Sequence, residues 1–137
     1  MKIYAASSWK NVYYDSVVSA LRNENYVVYD FTKQITAFQW SDVSSDWSGP
    51  KQVIKNMQHI IARKSFQSDY FALTQCNVCV LVLPSGRSSH LEAGVMKGLG
   101  KKLYIYAPEL DQPELMYLMA DGIYTDIQEL LEELRKL

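Results

Sequence analysis

Val78-Cys79-Val80-Leu81-Val82-Leu83 is six apolar residues in succession, closed by Pro84 and followed by the polar turn Ser85-Gly86-Arg87-Ser88-Ser89. A run this short, with no polar alternation, reads as a central strand covered on both faces. Such strands occur in parallel sheets, whose connections need helices. The flanking sequence supplies them. Downstream, residues 90–99 form a helical segment stopped by Gly100, and Lys102 to Tyr106 is a further strand. Upstream, Ile3 to Ala6 is a short apolar run, and residues 11–24 carry Val12, Val17, Val18 and Leu21 at helical spacing. Tyr26 to Phe31 is then β-branched and aromatic, which completes a βαβ unit.

Pro50 opens a helix over 51–66 with Val53, Ile54, Met57, Ile60 and Ile61 on one side, and one or two further helical turns span Asp69 to Gln75. Residues 113–119 read as a short helix, Gly122 to Tyr124 as a last strand, and 126–137 as an amphipathic helix. The Thr32 to Gly49 stretch has no clean period. Its Phe38, Trp40 and Trp47 mark it as a structured flap, held by its own small core or presenting aromatic faces to a ligand. Alternating strands and helices predict an α/β fold of flavodoxin-like type: an open parallel sheet of order 2-1-3-4-5 with helices on both faces.

At 137 residues the chain suits one domain over 1–137, and 48% hydrophobic residues suffice for a core without metal or disulfide staples. Fourteen basic against fifteen acidic residues leave no positive surplus for a polynucleotide. Cys76 and Cys79 lie in an apolar context with no second pair to complete a zinc site, so they read as small hydrophobes and no metal or cofactor is expected. With no signal-like or membrane-spanning run, a cytoplasmic protein with no membrane partner is expected.

Ligands of open parallel sheets bind beyond the carboxyl ends of the strands, where strand order reverses. Here that crevice lies between the first and third strands, next to Ser7-Ser8-Trp9 and to Ser85, Gly86, Arg87, Ser88 and Ser89. Helix-start N–H groups, hydroxyls and the Arg87 fork can cradle a phosphate, a carboxylate or a sugar. Equally, Ser88 or Ser89 can simply cap the helix, with Glu92 completing a capping box. Glu92, one turn into that helix, is the group able to attack an electrophilic sugar carbon. Asp69 is a second acid near the crevice unless it caps its own turn, and Tyr4 is either core packing or part of the site.

The sequence also resembles a known family. Lys2-Ile3-Tyr4-Ala5-Ala6-Ser7-Ser8, Asp69 with Leu73 and Asn77-Val78-Cys79-Val80, Gly86-Arg87-Ser88-Ser89-His90-Leu91-Glu92-Ala93-Gly94, Gly100-Lys101-Lys102 and Pro113-Glu114-Leu115-Met116 resemble the nucleoside 2-deoxyribosyltransferase superfamily, which includes nucleotide N-glycosidases. The resemblance implies cleavage of the bond between a base and a (deoxy)ribose in a small-molecule nucleoside or nucleotide. It implies Glu92 as nucleophile, Asp69 as the acid that contacts the base or assists its departure, and Tyr4 as the residue orienting the glutamate. It implies a homodimer or higher homo-oligomer, in which the region of Glu114 and Met116 reaches a neighbouring copy's site. Gly86 stands where the transferases carry aspartate and the monophosphate hydrolases serine. Glu114 stands where the transferases have an amide and the hydrolases a phosphate-binding serine. Asn77 replaces an aspartate common in the family. Two other readings fit the same loop: a TIR-like NAD hydrolase or cyclase, whose glutamate also follows a serine-containing loop, and a nucleotide-binding sensor without turnover.

Overall fold

The computed structural model describes all residues, Met1–Leu137. Five strands form one sheet: β1 (Lys2–Ala6), β2 (Val27–Asp30), β3 (Val78–Val82), β4 (Lys102–Tyr106) and β5 (Gly122–Tyr124). Their order is β2-β1-β3-β4-β5 and every pairing is parallel, the flavodoxin-like arrangement that the alternating pattern predicts. The helices are α1 (Tyr14–Asn23), α2 (Pro50–Met57), α3 (Ile60–Gln75), α4 (Arg87–Gly98) and α5 (Ile127–Leu134).

Strand side chains alternate between faces, so each strand feeds two cores. Ile3, Ala5, Val28, Val78, Val80 and Val82 pack under Val17, Val18 and Leu21 of α1 and Leu130, Leu131 and Leu134 of α5. Tyr4, Ala6, Cys79, Leu81, Leu103 and Ile105 pack under Ala72 and Leu73 of α3 and Ala93 and Met96 of α4. β3 is buried at all five positions, which explains its unbroken hydrophobicity. Cys76 and Cys79 are buried free thiols, and no group of three or more His, Cys, Asp or Glu is placed to hold a metal ion. No helix is long and apolar enough to cross a membrane.

Several boundaries differ from the sequence reading, each for a local reason. The first helix starts at Tyr14 instead of Asn11 because the Asn11 side chain is occupied. Its Oδ1 accepts from the Tyr13 amide at 2.7 Å, and its Nδ2 donates to the carbonyls of Val82 and Pro84 at 3.2 and 2.9 Å. The helix expected over 51–66 breaks at Gln58-His59. His59 is extended, and its Nδ1 accepts from the Ile61 amide at 3.1 Å, so it caps the start of α3. α3 then runs unbroken through residue 69, so Asp69 sits inside a helix and caps nothing. α4 begins at Arg87, earlier than expected, with Gly86 as its N-cap and no side-chain cap. Ser89 Oγ instead donates back to the Gly86 carbonyl at 2.8 Å, which removes the capping-box reading. The last helix ends at Leu134, and the 113–119 segment is a 3₁₀ turn over Leu115–Met119.

The flap is pinned by its own aromatics. Trp40 meets Phe38 and Trp47 edge-on, with ring centroids 5.1 and 5.8 Å apart. Beneath them the buried Asn56 donates from Nδ2 to the Asp46 carbonyl at 2.7 Å and accepts from Gln52 Nε2 at 2.9 Å. Removing that amide leaves a partly buried carbonyl without its donor, a loss of about 1–3 kcal/mol. Asn56→Ala should therefore loosen the flap selectively. In hydrogen exchange, amides of residues 40–49 should speed up while those of β3 keep their protection; equal acceleration in both would contradict local pinning.

Candidate active site

β1, β2, α3 and α4 bring four chemistry-bearing side chains onto one face of the sheet. Tyr4 and Tyr29 are register partners on β1 and β2. Their rings stack with centroids 5.1 Å apart and planes 18° from parallel. α3 and α4 both pack against β1, and they carry Asp69 and Glu92 over these rings. Tyr29 Oη donates to Asp69 Oδ1 at 2.7 Å and lies 3.1 Å from Ser68 Oγ.

The electrostatics of this cluster follow from burial without a cation. Glu92 forms no ion pair, and burial pushes its carboxyl up to about 7; the neighbouring Asp69 charge adds to the rise, while the Tyr4 hydroxyl acts the other way by favouring the ionised form. Burial also raises Asp69, opposed by the hydrogen bond from Tyr29. Tyr4 is fully buried, and its hydroxyl is raised far above the phenol range, first by burial and then by Glu92 and Asp69. Its Oη faces Glu92 yet meets no partner at proper hydrogen-bond geometry, so it is a buried donor in wait of an acceptor.

The turn residues divide into those spent on structure and those left free. Ser7 Oγ donates to the Val82 carbonyl at 2.8 Å, tying the ends of β1 and β3 together. Ser89 is buried and bonded to Gly86. Ser8 Oγ accepts from the Lys10 amide at 3.3 Å, and Trp9 is half exposed, edge-on to Phe31. Gly86, Arg87 and Ser88 are exposed at the start of α4. Ser85 Oγ is buried with no partner. A groove of about 570 Å³ opens beside this turn, lined by Ser85, Glu109, Asp111, Gln112 and Tyr117 among others. Glu92, Tyr4 and Asp69 do not line it. Glu114 and Met116 are exposed and do not join the Glu92 cluster.

Two contributions escape a reading of the sequence. Tyr29 reads as strand packing, and only its register with Tyr4 and its bond to Asp69 reveal it. His90, at the start of α4, ties two segments together. Its Nδ1 lies 2.7 Å from the Gly86 carbonyl and its Nε2 2.9 Å from Tyr117 Oη, with the two rings stacked. A neutral imidazole protonated at Nδ1 satisfies both contacts.

Two solved structures share this architecture. A 2-deoxyribosyltransferase from Bacillus psychrosaccharolyticus superposes with a TM-score of 0.68 at 16% identity, over 95% of this chain and 90% of its own. A CMP N-glycosidase from Clostridium botulinum superposes with a TM-score of 0.53 at 16% identity, over 98% of this chain and 99% of its own. This chain has their fold. Deoxyribosyl transfer and N-glycosidic cleavage are also the two activities that the sequence resemblance names. No family model and no curated protein sequence matches the chain.

The raised Glu92 carboxyl has a consequence for stability. Between the ordinary value of 4.5 and about 7, the folded chain keeps a proton that the unfolded chain has released, so stability declines as pH rises across that window. Glutamine carries no charge at any of these pH values. Glu92→Gln should therefore be more stable than the parent by roughly 2–3 kcal/mol at pH 8 and equal to it at pH 4. Urea unfolding at the two pH values measures this; an equal gain at both would place the effect in packing, not ionisation.

Proposed function

We propose that the chain cleaves the N-glycosidic bond of a (deoxy)nucleoside or nucleotide, by hydrolysis or by transfer of the sugar to a second base, with Glu92 as nucleophile. The observation that carries this reading is the Glu92 carboxyl itself: partly withdrawn from water, without a cation, and set against the free hydroxyl of Tyr4. A carboxylate spent on structure has partners, whereas this one is held ready and unspent. The fold shared with a 2-deoxyribosyltransferase and a CMP N-glycosidase supports the same reaction class.

In this mechanism a Glu92 carboxylate oxygen forms a bond to C1′ as the C1′–N bond breaks. The electron pair leaves with the base, which takes up a proton. Tyr4 orients the attacking oxygen, and Asp69 meets the base. Water or a second base then displaces Glu92 from C1′, regenerating the carboxylate. Ser8 and Trp9 on one side of the crevice, with Ser85, Gly86, Arg87 and Ser88 on the other, are the groups available to sugar and base. Ser7 and Ser89 shape the turns that present them. Leu115, Met116 and Leu118 are 77%, 64% and 80% exposed on one short turn, which suits a homo-oligomer in which this edge meets a second copy.

Purified chain incubated with deoxynucleosides, their monophosphates and NAD should release free base from a nucleoside or nucleotide, and Glu92→Gln should lose that release by at least about a thousandfold. Full release by Glu92→Gln overturns the reading, and nicotinamide release from NAD alone replaces it with the NAD-hydrolase reading. Attack requires ionised Glu92, so kcat/KM should climb through about pH 7 and level off above. Tyr4→Phe removes a group that favours the ionised form, so its rise should move to higher pH. A wild-type rise centred near 4.5 would exclude Glu92 as the titrating nucleophile.

A further inference from the structure

Tyr29 lies within the cluster but is claimed by no step above. Its hydroxyl has one proton and two close neighbours. With that proton donated to Asp69 Oδ1 at 2.7 Å, the contact with Ser68 Oγ at 3.1 Å is made by Ser68 donating to Tyr29. The result is a directed chain, Ser68 to Tyr29 to Asp69. One Asp69 oxygen is thereby fixed and satisfied. The other, Oδ2, has no hydrogen-bond partner in the chain, and no Lys, Arg or His pairs with this carboxyl.

Placement gives that oxygen a target. In a displacement at C1′, the base departs on the side opposite the incoming Glu92 oxygen. α4, which carries Glu92, packs on β3 and β1, while α3 packs on β1 and on α4. The stacked pair of Tyr4 and Tyr29 forms the floor below both acids, extending toward β2 on the α3 side. A base leaving across that floor meets α3, where Asp69 stands.

We propose that Tyr29 is a positioning residue which, with Ser68, makes Asp69 a single fixed hydrogen-bond acceptor for an N–H group on the edge of the base. This rests on the glycosidic reading of the site and narrows its substrate class to bases that present such a donor. A carboxylate accepts and does not donate, so a base edge without an N–H covers Oδ2, which is open to solvent in the free chain, and leaves it unpaired. Sites built this way reject the analogue that lacks the donor more strongly than apolar pockets reject a missing methylene.

The test measures binding without turnover. In a Glu92→Gln background, calorimetry compares 2′-deoxyadenosine with purine 2′-deoxyriboside, and 2′-deoxycytidine with the 2-pyrimidinone 2′-deoxyriboside. Each pair differs only by the exocyclic amino group. At least one amino member should bind about tenfold or more tightly than its partner. Adding Tyr29→Phe keeps the ring and its stack on Tyr4 but removes the donor to Asp69. The preference should then fall to about threefold or less, with binding of the amino-free partner within about twofold of its former value. Ser68→Ala should lower the preference in the same direction by a smaller factor. Equal weakening of both members of a pair marks a merely structural role and overturns the proposal, as does a preference that survives Tyr29→Phe. If the wild type releases base while no pair shows a preference, the glycosidic reading stands and the role of Tyr29 falls. If no nucleoside binds or reacts, both fall.

Discussion

Glu92 and Asp69 share one side of a parallel sheet with no positive charge between or beside them. Water is partly withdrawn from both, and what replaces it is phenolic: the Tyr4 hydroxyl toward Glu92 and the Tyr29 hydroxyl on Asp69. Burying acids in this way is costly, because neither ion pairing nor full hydration offsets the charge. The elements that carry the acids are anchored in the core. Tyr4 is fully buried in a strand paired on both sides, and Met96 and Ala93 anchor the helix that carries Glu92. A strained electrostatic arrangement of this kind is stabilised by packing elsewhere.

The turns around the crevice are stitched by side chains that are then no longer free for a ligand. Ser7 and Asn11 both reach across to the Val82 carbonyl, and Asn11 also holds the Pro84 carbonyl. Ser89 and His90 both converge on the Gly86 carbonyl. His90 extends the network to Tyr117, so the 3₁₀ turn at 115–119 is tied to the helix that carries Glu92. These bonds hold the start of α4 in place and leave its exposed Arg87 and Ser88 to face outward. Fixed turns with unspent groups beside them suit the proposed reaction, which needs preorganised walls.

How much of this was legible in the sequence depended on the range of the interaction. The fold was legible, because hydrophobic periodicity and turn residues act over a few residues: the unbroken run of β3, the helical spacing of α1 and the terminal Gly100 each declare themselves locally. The position of Glu92 on the helix after β3 was legible because strand, turn and helix are contiguous. Helix boundaries went astray where a side chain took a bond, remote or local, that the hydrophobic pattern does not announce. Asn11 bonds to residues more than seventy positions away and delays α1, and Ser89 turns back to Gly86 where capping was expected.

The chain by itself determined a five-stranded parallel sheet with a carboxylate placed one turn beyond the central strand, since both follow from short-range pattern and the right-handed crossover rule. Only the tertiary structure decided that Tyr29 lies in register with Tyr4 and bonds Asp69. Sheet register and the rotation of α3 are set by which faces are buried together, and two residues forty positions apart carry no mark of their contact. It also decided which serines are spent and which remain free, because a hydroxyl's partner is chosen by geometry after folding and not by its neighbours in sequence.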